Sequence, residues 1–214
     1  MGESRFDAII FDFDGVLVES VDVKTRAFAL LYESHGSEIV RKVVAYHLKH
    51  GGMSRFEKFR YFHQNLLGKE LTKDVEIELC SKFSRLVEDA VVNAPFVTGA
   101  IEFLQQFYDK LSLFVASGTP DDELKRIASK RDIGKYLISL HGSPATKVSI
   151  INDILLTHDL KRSKVLVVGD AMTDYDAALR TGVNFVWRIS QSDAKVPESV
   201  KTIVNLTELY GLIR

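Results

Sequence analysis

The sequence contains a single cysteine, Cys80, so no disulfide can form within the chain. It has no run of basic residues: the formal net charge is -1 and the lysines and arginines are spread along the chain. That distribution argues against a nucleic-acid stripe or a polybasic membrane patch and favours a small soluble ligand as partner. No apolar run approaches the ~20 residues needed to cross a bilayer. The apolar opening Phe6–Phe11 is short and runs into Asp12 and Asp14, unlike the core of a signal peptide, so a cytoplasmic protein is expected. Repeats and low-complexity segments are missing, as are a GxxxxGK(S/T) loop and a GxGxxG turn, which sets aside the common nucleotide-binding fingerprints.

What is present is an ordinary globular composition, 46% hydrophobic and 27% charged, enough for one large core and a small accessory domain. Five short runs rich in β-branched and aromatic residues, Phe6–Phe11, Leu111–Ala116, Tyr136–Leu140, Lys164–Val168 and Val183–Trp187, are each followed by a turn signal and a helical pattern. Nearly continuous apolar runs of this length read as buried parallel strands, and the alternation with helices predicts a doubly wound, Rossmann-like α/β core. One crossover stands out. Between the first and second runs lie about a hundred residues where a dozen or more suffice. There the spacing is helical, as in Phe56, Phe59, Phe62 and Leu66, then Leu79, Phe83, Leu86 and Val87. An all-helical cap over residues 21–93 is therefore expected, inserted into a core made of residues 1–20 and 94–214, with the second hinge near residues 93–97 around Pro95.

In open α/β sheets ligands bind beyond the carboxyl ends of the strands. The first strand delivers Asp12-Phe13-Asp14-Gly15 there, the second Ser117-Gly118-Thr119-Pro120, the region after the third Lys147, and the fourth Gly169-Asp170 with Asp174 one turn later. Carboxylates suit a hard divalent cation; a lysine and a hydroxyl suit phosphate oxygens. Asp12 and Asp14 share a face of a regular strand, and Gly15 permits a sharp turn behind them. An EF-hand reading of this tetrapeptide fails, because its glycine comes fourth rather than sixth and a buried strand precedes it. Lys147 opens a helix, where a cation is disfavoured unless anions offset it. None of the six histidines is assigned to metal or catalysis, and Ser20 reads as the cap of the first helix of the insert.

The ordered series FDFDGVLVES, VASGTP, Lys147 and GDAMTDYDAA resembles the four-motif signature of haloacid dehalogenase-like hydrolases over essentially the whole chain. The position of the helical insert resembles the subgroup containing phosphoglycolate phosphatases and β-phosphoglucomutases. The resemblance implies a magnesium-dependent phosphatase acting on a small phosphorylated metabolite through an aspartyl-phosphate. It puts the nucleophile on Asp12 and general acid and base work on Asp14. Mg2+ would be held by the Asp12 carboxylate, the Asp14 carbonyl and Asp170, with Asp174 behind them. Ser117 and Gly118 would hold phosphoryl oxygens, and Lys147 would act in catalysis by neutralising charge on the aspartyl-phosphate and the transition state. The run Gly51-Gly52-Met53-Ser54-Arg55 is similar to a substrate-specificity loop, implying that Arg55 meets a second charged group on the substrate.

A phosphomutase needs the same residues and is the nearest rival, but Gly169 and Lys24 depart from its pattern, which carries an acidic residue and a histidine at those places. A dehalogenase would lack Asp14. An inactive binding module would have lost one of Asp12, Asp14, Lys147 or Asp170, and all four are present.

Overall fold

The computed structural model describes residues 4–190 and 196–213. Six parallel strands form one sheet: β1 Ala8–Phe11, β2 Ser112–Pro120, β3 Ser139–Ser143, β4 Val165–Gly169, β5 Asn184–Arg188 and β6 Thr202–Ile203. Their order is β3-β2-β1-β4-β5-β6. Ile9 and Phe11 of β1 join one core cluster while Ala8 and Ile10 join the other. This two-fold alternation, with both faces covered, is why the strand reads as an unbroken apolar run. The five expected strands are all present, with β3 starting three residues late because Gly134–Tyr136 form a 3-10 turn. The two-residue edge strand β6 was not anticipated; so short a run carries no period.

From residue 21 to 93 the chain is helical: α1 Val21–Leu31, α2 Ser37–Lys49, α3 Arg55–Tyr61 and α4 Lys73–Asn93, with short 3-10 and π turns. The doubly wound sheet with an inserted helical cap is thus the architecture of the chain. Ser54 starts α3 with a capping box, its hydroxyl accepting from the Glu57 amide at 3.3 Å while the Glu57 carboxylate accepts from the Ser54 amide at 3.3 Å. Phe28 of α1 packs against Phe59, Phe62 and Phe83 at ring separations of 5.7, 5.8 and 4.4 Å, which forms the insert's own apolar centre. Leu86, expected inside, is on the exposed side of α4. The two connections to the core run side by side, with the Glu19 amide donating to Pro95 O and the Val97 amide to Leu17 O, each at 3.0 Å.

The remaining helices flank the sheet: α5 Ala100–Phe107, α6 Asp121–Lys130, α7 Lys147–Thr157 and α8 Met172–Thr181. Among the described residues no helix is long and apolar enough to cross a membrane.

Candidate active site

Asp12 follows directly on β1, its amide donating to Val168 O at 2.9 Å, so the strand ladder itself aims the carboxylate. Lys147 reaches it from the first residue of α7, a helix capped by Thr146, whose hydroxyl accepts from the Ser149 amide at 3.2 Å. The Lys147 ammonium lies 2.9 Å from Asp12 Oδ1 and also contacts Asp174 Oδ1. Two carboxylates therefore offset a cation placed at the positive end of a helix. Asp170 completes the cluster: carboxylate oxygens of Asp12, Asp170 and Asp174 lie within 4.8 Å of one another.

Two glycines make that crowding possible. Gly15 has φ +78°, and a Cβ there would stand 2.1 Å from Asp170 Oδ2. A Cβ on Gly169 would meet Asp174 Cβ at 2.2 Å, so the space that an acidic side chain at 169 would need is taken by Asp174.

The crowding has an electrostatic signature. Burial, opposed by Lys147 and reinforced by Asp174 and Asp14, pushes the Asp12 carboxyl up to about 7. Burial and the charges of Asp12 and Asp174 raise Asp170 well above the carboxylate range, relieved only in part by a Ser190 hydrogen bond and by Lys147. An all-oxygen set that resists ionisation for want of positive charge fits a hard divalent cation such as Mg2+.

Asp14 is held differently. Burial acts to raise its carboxyl, but Lys24 and the hydroxyls of Ser20 and Thr119 outweigh it and keep the group below its ordinary value. Ser20 Oγ donates to Asp14 Oδ1 at 2.6 Å, Thr119 Oγ1 donates to Oδ2 at 3.0 Å, and the Lys24 ammonium contacts Oδ2 while donating to Thr119 Oγ1 at 2.7 Å. This corrects the reading of Ser20: it precedes α1, but its side chain caps no helix amide, because the carboxylate is the stronger acceptor. Neither Lys24 nor Thr119 was read as a site residue. Lys24 showed only as a departure from a family pattern, and its partner lies ten positions away across a turn.

Ser117 is buried in the C-terminal half of β2, where its Oγ accepts from the Thr119 amide at 3.1 Å. Gly118 abuts the insert, a Cβ there falling 2.4 Å from Gly52 O. Thr173 adds a second tie by donating to Gly51 O at 2.7 Å. The loop Gly51–Met53 thus closes one side of a 610 Å³ cavity that includes Asp12, Asp14, Asp170 and Gly118 on the sheet side and Lys24, Phe28, His47 and Lys58 on the insert side.

Arg55 is the site residue whose surroundings differ most from expectation. It borders the cavity, but its guanidinium donates to Glu123 Oε2 at 2.9 Å and Oε1 at 2.5 Å and to Ser84 Oγ at 2.8 Å, with Phe83 4.5 Å from its centre. Both members of the pair are almost wholly buried. The fork that would clamp a substrate anion already clamps α6 of the core. Glu123 gave no warning in the sequence, where it is one of three acidic residues opening α6.

Residues 9–188 match the haloacid dehalogenase-like hydrolase family. The chain belongs to that family. It is similar to a phosphorylated carbohydrates phosphatase of Thermotoga maritima, 23% identical over 193 residues that cover 87% of this chain and 86% of that one. Among solved structures it resembles a predicted phosphoglycolate phosphatase from Haemophilus somnus, with a TM-score of 0.78, 18% identity and 99% of each chain covered. It also resembles the HAD-hydrolase YfnB from Bacillus subtilis bound to magnesium, with a TM-score of 0.72, 18% identity and coverage of 97% of this chain and 98% of that one. The structural likenesses are to the fold. Membership in the family makes the protein a hydrolase.

Proposed function

We propose that this hydrolase is a magnesium-dependent phosphatase that takes a phosphoryl group from a small phosphorylated metabolite onto Asp12. The observation that carries the reading is the Lys147 ammonium lodged between Asp12 and Asp174, with Asp170 close by. That grouping supports reading Asp12 as nucleophile, Lys147 as phosphate-neutralising cation and the carboxylates as a cation-binding set. The names of the phosphatase relatives agree with it.

In this reading Asp12 Oδ attacks phosphorus, the P–O bond to the alcohol breaks, and the leaving oxygen takes a proton from Asp14. Water then attacks the aspartyl-phosphate, giving its proton to Asp14 and releasing inorganic phosphate and free Asp12. Lys24, Ser20 and Thr119 favour the ionised form of Asp14 that the water step needs. The negative charge of an arriving ester raises its proton affinity and supplies the acid form for the first step. Lys147 balances charge on the transferring group, with Ser117 and the Gly118 amide as further donors. Mg2+ would be held by Asp12, the Asp14 carbonyl and Asp170, with Asp174 orienting Lys147, and it would neutralise charge on the phosphoryl oxygens. Residues 21–93 act as a movable cap that excludes water while the first step proceeds.

The test is an acid quench during turnover of a 32P-labelled ester with magnesium. The protein should carry acid-stable, hydroxylamine-labile label, absent in Asp12→Asn. Hydrolysis without any labelled protein, or with label on Asp12→Asn, overturns the assignment. Including β-glucose 1-phosphate with a trace of glucose 1,6-bisphosphate separates the phosphomutase alternative: isomerisation to glucose 6-phosphate that outruns phosphate release would select it.

A further inference from the structure

The insert side of the cavity holds a buried lysine that the phosphoryl chemistry does not use. Lys58 sits on α3 one turn beyond Arg55, is 3% exposed, and borders the same cavity as Asp12 and Asp170. Buried lysines are almost always paired with a carboxylate. Among the described residues Lys58 makes no ion pair; its Nζ has one hydrogen-bond partner, His47 Nδ1 at 2.9 Å, and stands 5.5 Å from the Phe28 ring centre.

His47, in the last turn of α2, is 6% exposed, and its Nε2 has no partner. Burial and the charges of Lys58 and Lys24 hold its imidazole down to about 2, so the ring is neutral. With Nδ1 accepting from Lys58, the ring proton is on Nε2, a donor without an acceptor. The pair therefore has unused donors, two on Lys58 and one on His47, and no unused acceptor. Burial and the nearby cations Lys24 and Lys147 also bring the Lys58 ammonium down to about 7, as expected of a cation waiting for a counter-charge.

We propose that Lys58, seated on His47, is the receptor for a second anionic group of the substrate, a carboxylate or a further phosphate, at the end of the molecule away from the scissile phosphate. Unmet donors beside an unpaired cation call for an acceptor-rich anion; a neutral hydroxyl would leave the charge uncompensated. Arg55, bound on both faces of its fork by Glu123, then serves as a tie between insert and core. The inference rests on the phosphatase reading for which group is scissile, but the binding site stands on its own geometry.

The test titrates magnesium-loaded Asp12→Asn protein by calorimetry with 3-phosphoglycerate, fructose 1,6-bisphosphate and glycerol 3-phosphate. The first carries a carboxylate, the second another phosphate, and the third only hydroxyls. At least one of the two probes with a second anionic group should bind roughly ten- to a hundredfold more tightly than glycerol 3-phosphate, and which one identifies the anion. Lys58→Met should bring that ratio close to one, whereas Lys58→Arg should keep most of it. In the wild type, Lys58→Met should raise KM for the preferred ester more than it raises KM for para-nitrophenyl phosphate. Equal affinity for all three probes, or a preference that survives Lys58→Met, overturns the proposal, and the probe comparison decides it even if the variant fails to fold. Hydrolysis of para-nitrophenyl phosphate by the wild type is judged separately, so failure of the phosphatase reading is told apart from failure of this one.

Discussion

The two walls of the cavity carry opposite imbalances of charge. At the strand ends Asp12, Asp170 and Asp174 crowd together with Lys147 as the cation between them. Across from them Lys58 lies buried beside a neutral histidine, with no carboxylate paired to it among the described residues. In the proposed reading each imbalance marks where a charge absent from the polypeptide belongs, a cation at one wall and an anion at the other. Arg55 and Glu123 form the contrast: a buried pair of opposite charges that meet within the protein, so that neither charge is left uncompensated.

The comparison breaks most sharply at Asp12. Asp12→Asn should lower kcat by on the order of 10⁴ or more while circular dichroism and Tm stay close to those of the wild type, since the amide fills the same volume without nucleophilic charge. Activity near the wild-type level in that variant would remove the chemical meaning of the sheet wall.

Arg55→Ala tests the balanced pair. It leaves Glu123 buried and uncompensated, and should cost about 3–5 kcal/mol in unfolding free energy. Para-nitrophenyl phosphate and acidic esters should lose activity in the same proportion. A selective loss on acidic esters with unchanged stability would move Arg55 back to substrate binding.

The cation imbalance predicts that magnesium stabilises the folded protein. At a hundredfold excess over Kd the gain is about 2.7 kcal/mol, or roughly 5–10 °C in Tm for a chain of this size. Asp170→Ala should remove most of that rise, and excess chelator should abolish turnover of the wild type. A Tm indifferent to magnesium would leave the carboxylate cluster without its explanation.

The anion imbalance predicts a stability cost with a known direction in pH. The Lys58 ammonium is brought from 10.5 to about 7 in the folded state by burial and by Lys24 and Lys147, against the opposing pull of Asp14 and Glu57; His47, its hydrogen-bond partner, is neutral. Between those values the unfolded chain binds more protons, so stability rises with pH; the penalty is full below about 7 and gone above 10.5. Lys58→Met should therefore be more stable than the wild type by on the order of 1–3 kcal/mol at pH 7, with the advantage fading toward pH 10.5. Denaturant midpoints across that range measure it, and a constant offset would mean that packing rather than charge sets the difference.

The sheet and the polar clusters at its strand ends were legible because they are local. A parallel strand buried on both faces needs a continuous apolar run, and the residue after such a run emerges at the strand end. Asp12, Ser117 and Asp170 could be placed from position alone, and Lys147 from the turn that precedes its helix. The helical insert was legible as well, because a hundred-residue crossover without strand patterns leaves few other structures for it.

What the tertiary structure alone decided is which charges meet. Ser20 read as a cap until the turn brought Asp14 within 2.6 Å of its hydroxyl. Arg55 read as a substrate clamp, and nothing in the sequence showed that α6 presents Glu123, 68 positions away, to both arms of its fork. His47 and Lys58, eleven positions apart on two helices, were given no role from the sequence; only the packing of α2 against α3 brings their polar ends together at the cavity. Periodicity fixes which face of an element is buried, but the pairing of a buried charge depends on what another element brings to it, and that is set by packing across the whole fold.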